Sequence, residues 1–172
     1  MHVARRREFG TLRRVPRRHW LLKTEPSVFS FDDLMAAPRR TTGWEGVRNY
    51  QARNYLRDEM KKGDGVLIYH SSAEPTAVVG TAEVVREGYP DPTQFERGDD
   101  HYDPDSSPDD PRWFEVEVRA VAKLPHPVTL ERIKGTAQLA GMGLLRRGNR
   151  LSVQPVTEAE FRTIVKLGQT PG

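Results

Sequence analysis

The part of the sequence richest in groups that could recognise a ligand is residues 44–54, Trp-Glu-Gly-Val-Arg-Asn-Tyr-Gln-Ala-Arg-Asn. It places two aromatic rings, several amides and two guanidinium groups around a glycine, which is more polar chemistry than a hydrophobic core needs. If a helix runs over residues 49–62, Asn49, Ala52, Leu56 and Met60 lie along one stripe at the spacing of a buried face. Asn49 is then the N-cap, with its side-chain oxygen accepting from a backbone N–H. Alternatively, the amide of Asn49 faces a pocket whose walls are Trp44 and Tyr50. Flat walls of this kind suit a planar ligand.

Residues of the same types recur along the rest of the chain. Two more aromatic candidates are Tyr69 and Trp113, and an ordinary core position is the alternative for each ring. The polar candidates that could address the edge of a planar ligand are Thr24, Glu25, His70, Ser71, Ser152 and Gln154. We expect Ser152 and Gln154 to project together, because they share one phase of a predicted strand. The candidates for holding phosphate groups, with plain solvation as the alternative, are Arg48, Arg53, Arg112, Arg146, Arg147 and Arg150.

Motifs for covalent or metal chemistry are missing from the sequence. It contains no cysteine, no glycine-framed serine and no phosphate-cradling Gly-Lys-Ser loop. Its histidines lack the paired spacing of metal ligands. The acidic, proline-rich residues 99–111 fail as an EF-hand, since counting from Asp103 puts Pro108 at the sixth position and Phe114 at the twelfth. We therefore expect no metal and no cofactor, and these gaps argue against hydrolase or kinase chemistry.

Positive charge is concentrated at the start of the chain. The net charge is +3 over 172 residues, yet residues 1–18 hold seven arginines against the single acid Glu8, so the remainder is slightly acidic. This basic arm could bind phosphates without sequence preference, act as a nuclear address or a mitochondrial leader, or result from a start codon placed too early. The absence of cysteine and of a membrane-spanning apolar run predicts a cytoplasmic protein, associated with the nucleoid in a bacterium or nuclear in a eukaryote.

The periodicity from Trp20 onward is mostly that of strands. Alternating apolar residues predict strands over residues 20–25, 65–70, 76–86, 114–122 and 151–156. Capping boxes predict a short helix after Ser30 and a closing helix after Thr157. The alternation over 114–122 predicts one dry and one wet face, with Trp113 and Glu115 in the wet phase. Several strands with few long helices indicate an α+β fold, either a small β-barrel or a strongly curved mixed sheet flanked by short helices.

Segments in one continuous order resemble the EVE domain, a member of the PUA-like superfamily. Besides residues 44–54, they are Trp-Leu-Leu-Lys-Thr-Glu-Pro at 20–26, Tyr-His-Ser at 69–71, residues 82–93, Tyr-Asp-Pro at 102–104, Pro-Arg-Trp-Phe at 111–114 and residues 147–156. The resemblance implies a PUA-like fold in a single domain over residues 19–168, with the basic arm at 1–18 and a tail at 169–172. Tyr55 and residues 72–74 depart from the family pattern, which leaves the base preference open.

The resemblance also implies a function. It predicts a non-enzymatic reader of a modified base in nucleic acid, most plausibly methylated or hydroxymethylated cytosine in DNA, flipped into a pocket lined by aromatic and amide groups. The alternatives are a reader of RNA modifications, an amidohydrolase of modified cytidine like some ASCH-type relatives, and an adaptor for unknown protein partners. Lys23, Thr24 and Glu25 supply the residue types of the hydrolase, but alternation along a strand argues that Thr24 cannot share a pocket with both neighbours.

Overall fold

The computed structural model describes residues 17–172, so the predicted basic arm lies outside the described residues except for Arg17 and Arg18. The strands are β1 His19–Thr24, β2 Thr41–Gly43, β3 Gly65–His70, β4 Ala77–Pro90, β5 Phe114–Thr129 and β6 Val153–Val156. The α-helices are α1 Phe31–Ala36, α2 Tyr50–Asn54, α3 Leu130–Lys134 and α4 Glu158–Leu167. A π-helical turn, Tyr55–Glu59, continues α2, and 3-10 turns occupy Pro38–Arg40, Pro92–Phe95, Ala137–Leu139 and Gly143–Leu145.

All six strands belong to one mixed sheet, in the order β2-β5-β4-β3-β1-β6. β1 and β3 are parallel, and the other neighbouring pairs are antiparallel. The ladder between β4 and β5 changes register at four points, and such bulges bend a sheet. Within residues 17–172, β2 and β6 remain edge strands, so the sheet curves without closing into a barrel. The predicted α+β fold with a curved mixed sheet and short helices is confirmed.

Two apolar clusters cover the two faces of the sheet. Alternation along β1 sends Trp20 and Leu22 into the first cluster, under α1 and α2, and Leu21 into the second, under α3 and α4. Central strands that are buried on both faces are continuously apolar, as β1 and β3 are. Tyr69, near the end of β3, points into the second cluster and is 4% exposed.

The segment after residue 48 buries the predicted apolar residues, but its helical turns end earlier than expected and leave Met60 outside them. Ala52, Leu56 and Met60 are all buried in the first cluster, which confirms the stripe. The helical turns end at Glu59, because Met60 adopts an extended backbone conformation (φ −72°, ψ 125°) and its N–H donates to the carbonyl of Tyr55 at 2.9 Å.

Both predicted capping boxes are present. Ser30 and Asp33 exchange side-chain and backbone hydrogen bonds at the start of α1, and Thr157 and Glu160 do so at the start of α4. These bonds satisfy N–H groups that the first helical turn leaves without partners.

The start of β5 departs from the predicted pattern of wet and dry faces. Val116 and Val118 are buried as expected, but Glu115 is 4% exposed and Trp113 is 7% exposed, so the prediction of a wet phase there is wrong. Tyr89 stands opposite Glu115 in the β4–β5 ladder, and Gly43 lies so close that a Cβ added to it would be 2.6 Å from Glu115 Oε1. Neighbours from β2 and β4 therefore bury a carboxyl that periodicity assigns to solvent.

Candidate functional site

A cleft opens where β1 ends, beside the loop that follows β2. Its volume is about 510 Å³, which falls within the roughly 300–1,000 Å³ typical of ligand pockets. Residues 23–25, 28–29, 42–48, 101 and 152 line it, and we call it the aromatic cleft. Phe29 and Trp44 supply its rings, with centroids 6.4 Å apart and planes at 84°. Trp44 is 7% exposed, so it packs into the first cluster and also borders the cleft.

The floor of the cleft contains the end of β1. Lys23, Thr24 and Glu25 all line it, so the argument that Thr24 cannot share a pocket with both neighbours is wrong. The reason is that β1 ends at Thr24 and the chain turns, with the carbonyl of Glu25 accepting from the backbone N–H groups of Val28 and Phe29. Burial lowers the pKa of Lys23. The Thr24 hydroxyl donates to the carbonyl of Phe29 at 2.6 Å.

A buried ion pair supports the loop that carries Trp44. Asp91 is fully buried, and its Oδ2 accepts from the backbone N–H of Gly46 at 2.8 Å and from Arg48 Nη1 at 3.0 Å. Burial alone would raise the pKa of Asp91, but hydrogen bonds from Thr93, Gly46 and Arg48 outweigh burial and lower it. The carboxylate is therefore held charged, and it ties the cleft loop to the segment after β4.

His101 closes one side of the cleft. Gly46 has φ +83°, and a Cβ there would lie 2.6 Å from His101 Nε2, so only glycine leaves room for the imidazole. The backbone carbonyl of His101 accepts from Arg48 Nη2 at 2.8 Å and from Arg48 Nε at 3.2 Å. His101 was missed at the sequence level, because nothing in its acidic loop indicates that the loop folds back onto residue 46.

A second and larger hollow lies next to the aromatic cleft. It has a volume of about 850 Å³ and is lined by residues 18, 49, 51, 55, 141, 143, 146–151, 154–157 and 160. Because Arg18, Arg146, Arg147 and Arg150 are among them, we call it the arginine groove. Residues 48 and 152 line the cleft, whereas residues 49 and 151 line the groove, so the two hollows border each other at these residues.

Residues 18–167 match the family model of the EVE domain. The chain belongs to the EVE domain family. Thymocyte nuclear protein 1 of Mus musculus is 43% identical over 169 residues, which cover 88% of this chain and 74% of that protein. The crystal structure of human THYN1 protein in complex with 5-methylcytosine containing DNA has a TM-score of 0.84 and 40% identity, and the match covers 90% of this chain and 99% of that one. A hypothetical protein from Leishmania major has a TM-score of 0.83 and 40% identity, with 89% and 95% covered.

The aromatic cleft of this EVE domain brings together five of the predicted site residues. They are Thr24, Glu25, Trp44, Arg48 and Ser152. Arg48 is the predicted phosphate ligand among them, but its guanidinium is already bonded to Asp91, Thr93 and the carbonyl of His101. It therefore acts inside the EVE domain as a structural cation.

The arginine groove of the EVE domain takes another set of predicted residues, Asn49, Gln154, Arg146, Arg147 and Arg150. Asn49 Oδ1 accepts from the N–H of Ala52 at 3.0 Å, which confirms the N-cap interpretation. Ser152 and Gln154 do not project together as expected, because β6 begins only at Val153 and the two residues face different hollows. Gln154 is 2% exposed, and its Nε2 donates to the carbonyl of Leu151.

Three predicted ligands at the end of β3 line neither hollow of the EVE domain. The ring of Tyr69 is part of the second apolar cluster, which is the core alternative stated for it. His70 Nε2 accepts from the N–H of Phe31 at 3.0 Å, and burial lowers the pKa of His70, which favours the neutral acceptor. The N–H of Ser71 donates to the carbonyl of Thr24 at 3.0 Å.

The remaining predicted residues form a separate cluster on the surface of the EVE domain. Tyr50 stacks on Trp113, with centroids 4.9 Å apart and an interplanar angle of 22°. The indole N–H of Trp113 donates to Asp103 Oδ2 at 2.7 Å, and this hydrogen bond lowers the pKa of Asp103. Arg53 Nη1 donates to the carbonyl of Arg112 at 2.8 Å. Tyr50 is adjacent in sequence to Asn49 and Gln51, which line the arginine groove, but the cluster lines neither hollow.

One more ionisable group lies directly behind the cleft. Glu115 is packed against Gly43, which lines the cleft, and its Oε2 has no hydrogen-bond partner among residues 17–172. Burial raises the pKa of Glu115 to about 7, although a hydrogen bond from the Tyr89 hydroxyl opposes the rise.

Across residues 17–172, no group of three or more His, Cys, Asp or Glu side chains is arranged to hold a metal ion. The helices in this part of the chain are all too short or too polar to span a bilayer.

Proposed function

We propose that this EVE domain binds DNA and reads a modified cytosine, methylated or hydroxymethylated, that is flipped into the aromatic cleft. The observation that carries the proposal is that an aromatic cleft of about 510 Å³ borders an arginine groove. The human THYN1 protein, 40% identical over 90% of this chain, forms a complex with 5-methylcytosine containing DNA, and this supports the same ligand class here.

The cleft offers the two kinds of contact that a flipped base needs. Stacking on an aromatic ring stabilises a base by roughly 1–3 kcal/mol, and flipping costs a few kcal/mol. Carboxylates can accept from the exocyclic amino group of cytosine, and Glu25 and Glu45 line the cleft. Burial, together with Asp91 and Asp99, raises the pKa of Glu45. Stacking and edge contacts about balance the cost of flipping.

The net affinity then comes from phosphate contacts along the arginine groove. Each neutralised phosphate of duplex DNA contributes about −0.9 to the slope of log K against log salt concentration. The four arginines of the groove predict a slope of about −3 to −4. This dependence on salt distinguishes a reader of bases in DNA from a protein that binds free nucleosides, which needs no phosphate contacts.

A direct test uses two exposed valines. Val28 is 78% exposed and lines the cleft, whereas Val121 is 50% exposed and lies elsewhere. We expect Val28→Asp to weaken binding to a methylcytosine duplex by about tenfold or more, because its carboxylate meets an anionic ligand. Val121→Asp is the matched control and should bind like the wild type. Both titrations are read by fluorescence anisotropy.

The same titration includes an unmethylated duplex and an RNA strand of the same sequence that carries the modified cytosine. We expect the methylated DNA to bind most tightly. Equal affinity for methylated and plain DNA would contradict the proposal, and preference for the modified RNA strand would favour the RNA alternative.

A second candidate function, hydrolysis of an acylated cytidine, is supported by the presence of Lys23, Thr24 and Glu25 in one cleft. It predicts release of the acyl group from acetylated cytidine, lost in Thr24→Ala and kept in Thr163→Ala on α4. Chromatography of the nucleoside after incubation decides between the two, since a reader leaves the substrate intact.

A further inference from the structure

Tyr50 is a largely exposed aromatic residue whose neighbours in the chain line the two hollows. It is 53% exposed, although large hydrophobic side chains elsewhere in the described chain are mostly buried. Tyr50 is the first residue of α2. Arg48 lines the aromatic cleft, and Asn49 and Gln51 line the arginine groove, so Tyr50 stands between the position proposed for the base and that proposed for the phosphates.

The ring is held rigidly although it is exposed. It stacks on Trp113 at 4.9 Å, and the guanidinium carbon of Arg53 lies 4.8 Å from its centroid. Trp113 is itself fixed, because its indole N–H donates to Asp103 and Arg48 lies 5.3 Å from its ring. An ordered side chain has already lost its rotamer entropy, so a ligand that contacts it does not incur that cost on binding.

A flipped base leaves a gap in the duplex stack, and proteins that unstack a base step commonly insert a side chain there. We propose that Tyr50 is this wedge: the exposed part of its ring, which Trp113 does not cover, enters the space that the flipped cytosine vacates and contacts a neighbouring base. This inference rests on the proposed function and extends it, because it assigns to Tyr50 a contact with the duplex and none with the modified base. The wedge therefore matters for duplex DNA and not for single strands, which have no gap to fill.

The experiment compares the affinities of Tyr50→Ala, Tyr50→Phe and the wild type for a methylcytosine duplex and for the same methylated strand alone. We expect Tyr50→Ala to lose about tenfold in duplex affinity, which corresponds to one stack of about 1.4 kcal/mol, with its single-strand affinity unchanged. Tyr50→Phe keeps the ring and should match the wild type on both ligands. Val121→Ala is the control for removing an exposed apolar side chain elsewhere.

A second readout places 2-aminopurine next to the methylcytosine, because its fluorescence rises when it loses a stacking neighbour. We expect the bound probe to be brighter with Tyr50→Ala than with the wild type. Equal losses of duplex and single-strand affinity would overturn the wedge, since they indicate that Tyr50 only supports Trp113. Unchanged duplex affinity in Tyr50→Ala would overturn it as well. If the wild type binds methylated and plain duplexes equally, the failure lies in the proposed function, which this comparison reports separately.

Discussion

The buried carboxyl group of Glu115, behind the aromatic cleft, makes the stability of the fold depend on pH. Glu115 is 4% exposed, and its pKa is raised to about 7 from the ordinary value of 4.5. A group with a raised pKa holds its proton more tightly in the folded state than in the unfolded one. Folding stability is therefore unaffected below about pH 4.5, where both states are protonated. It falls between about pH 4.5 and pH 7, where only the unfolded state has lost its proton, and levels off above pH 7. At about 1.36 kcal/mol per pKa unit, the loss above pH 7 approaches about 3 kcal/mol.

Replacement by glutamine removes this dependence, because an amide has the shape of the protonated acid and cannot ionise. The amide oxygen of Glu115→Gln can still accept from the Tyr89 hydroxyl, while its NH₂ group has no clear acceptor where Oε2 now lies unpaired. An unsatisfied donor costs about 1–3 kcal/mol, and that cost is the same at every pH. We therefore expect the variant to gain about 2–3 kcal/mol relative to the wild type between about pH 4.5 and pH 8.5.

Urea denaturation gives the free energy of unfolding of both proteins at about pH 4.5, 6, 7 and 8.5. The gain is the amount by which the difference between variant and wild type grows over this pH range. Glu158→Gln is the control, since Glu158 is exposed and pairs with Arg162 on α4. A difference between Glu115→Gln and the wild type that stays constant over this range would refute the assignment of a buried, proton-binding carboxyl.

Two further predictions concern the cleft loop and the groove. Gly46→Ala should cost more stability than Gly63→Ala, because both glycines have positive φ but only the new Cβ at position 46 meets His101. The backbone cost common to both variants is about 1–2 kcal/mol. Chemical denaturation measures the additional loss in Gly46→Ala, and equal losses in the two variants would contradict the contact. The double substitution Arg147→Ala and Arg150→Ala should weaken binding to methylated and plain DNA alike, and the slope of log K against log salt concentration should become shallower by about 2. Anisotropy titrations measure this slope, and an unchanged slope would exclude these arginines as phosphate ligands.

The sequence predicted the parts of the fold that depend on neighbours along the chain. The boxes at Ser30 and Thr157 follow from residues three apart, and the stripe of Ala52, Leu56 and Met60 follows from helical periodicity. These features arise within one or two turns of the backbone, so a single segment contains the information. The family resemblance extended the predicted fold to the whole domain, and the match of residues 18–167 to the EVE domain model confirms the family.

The parts that were missed depend on residues distant in sequence. Glu115 alternates with valines and so reads as a solvent-facing residue, but Tyr89 and Gly43 cover it from two other strands. Thr24 shares the cleft with its neighbours because β1 happens to end there. His101 lines the cleft because its backbone carbonyl accepts from Arg48, while Asp91 accepts from the N–H of Gly46 nearby. No local pattern encodes such contacts.

The boundary that the two hollows share, at residues 48–49 and 151–152, links base selectivity to overall affinity for DNA. Because adjacent residues line the proposed base site and the proposed phosphate site, a substitution that reshapes the first also changes the second. Variants selected for a new base at these residues should therefore change their affinity for plain DNA as well as for modified DNA.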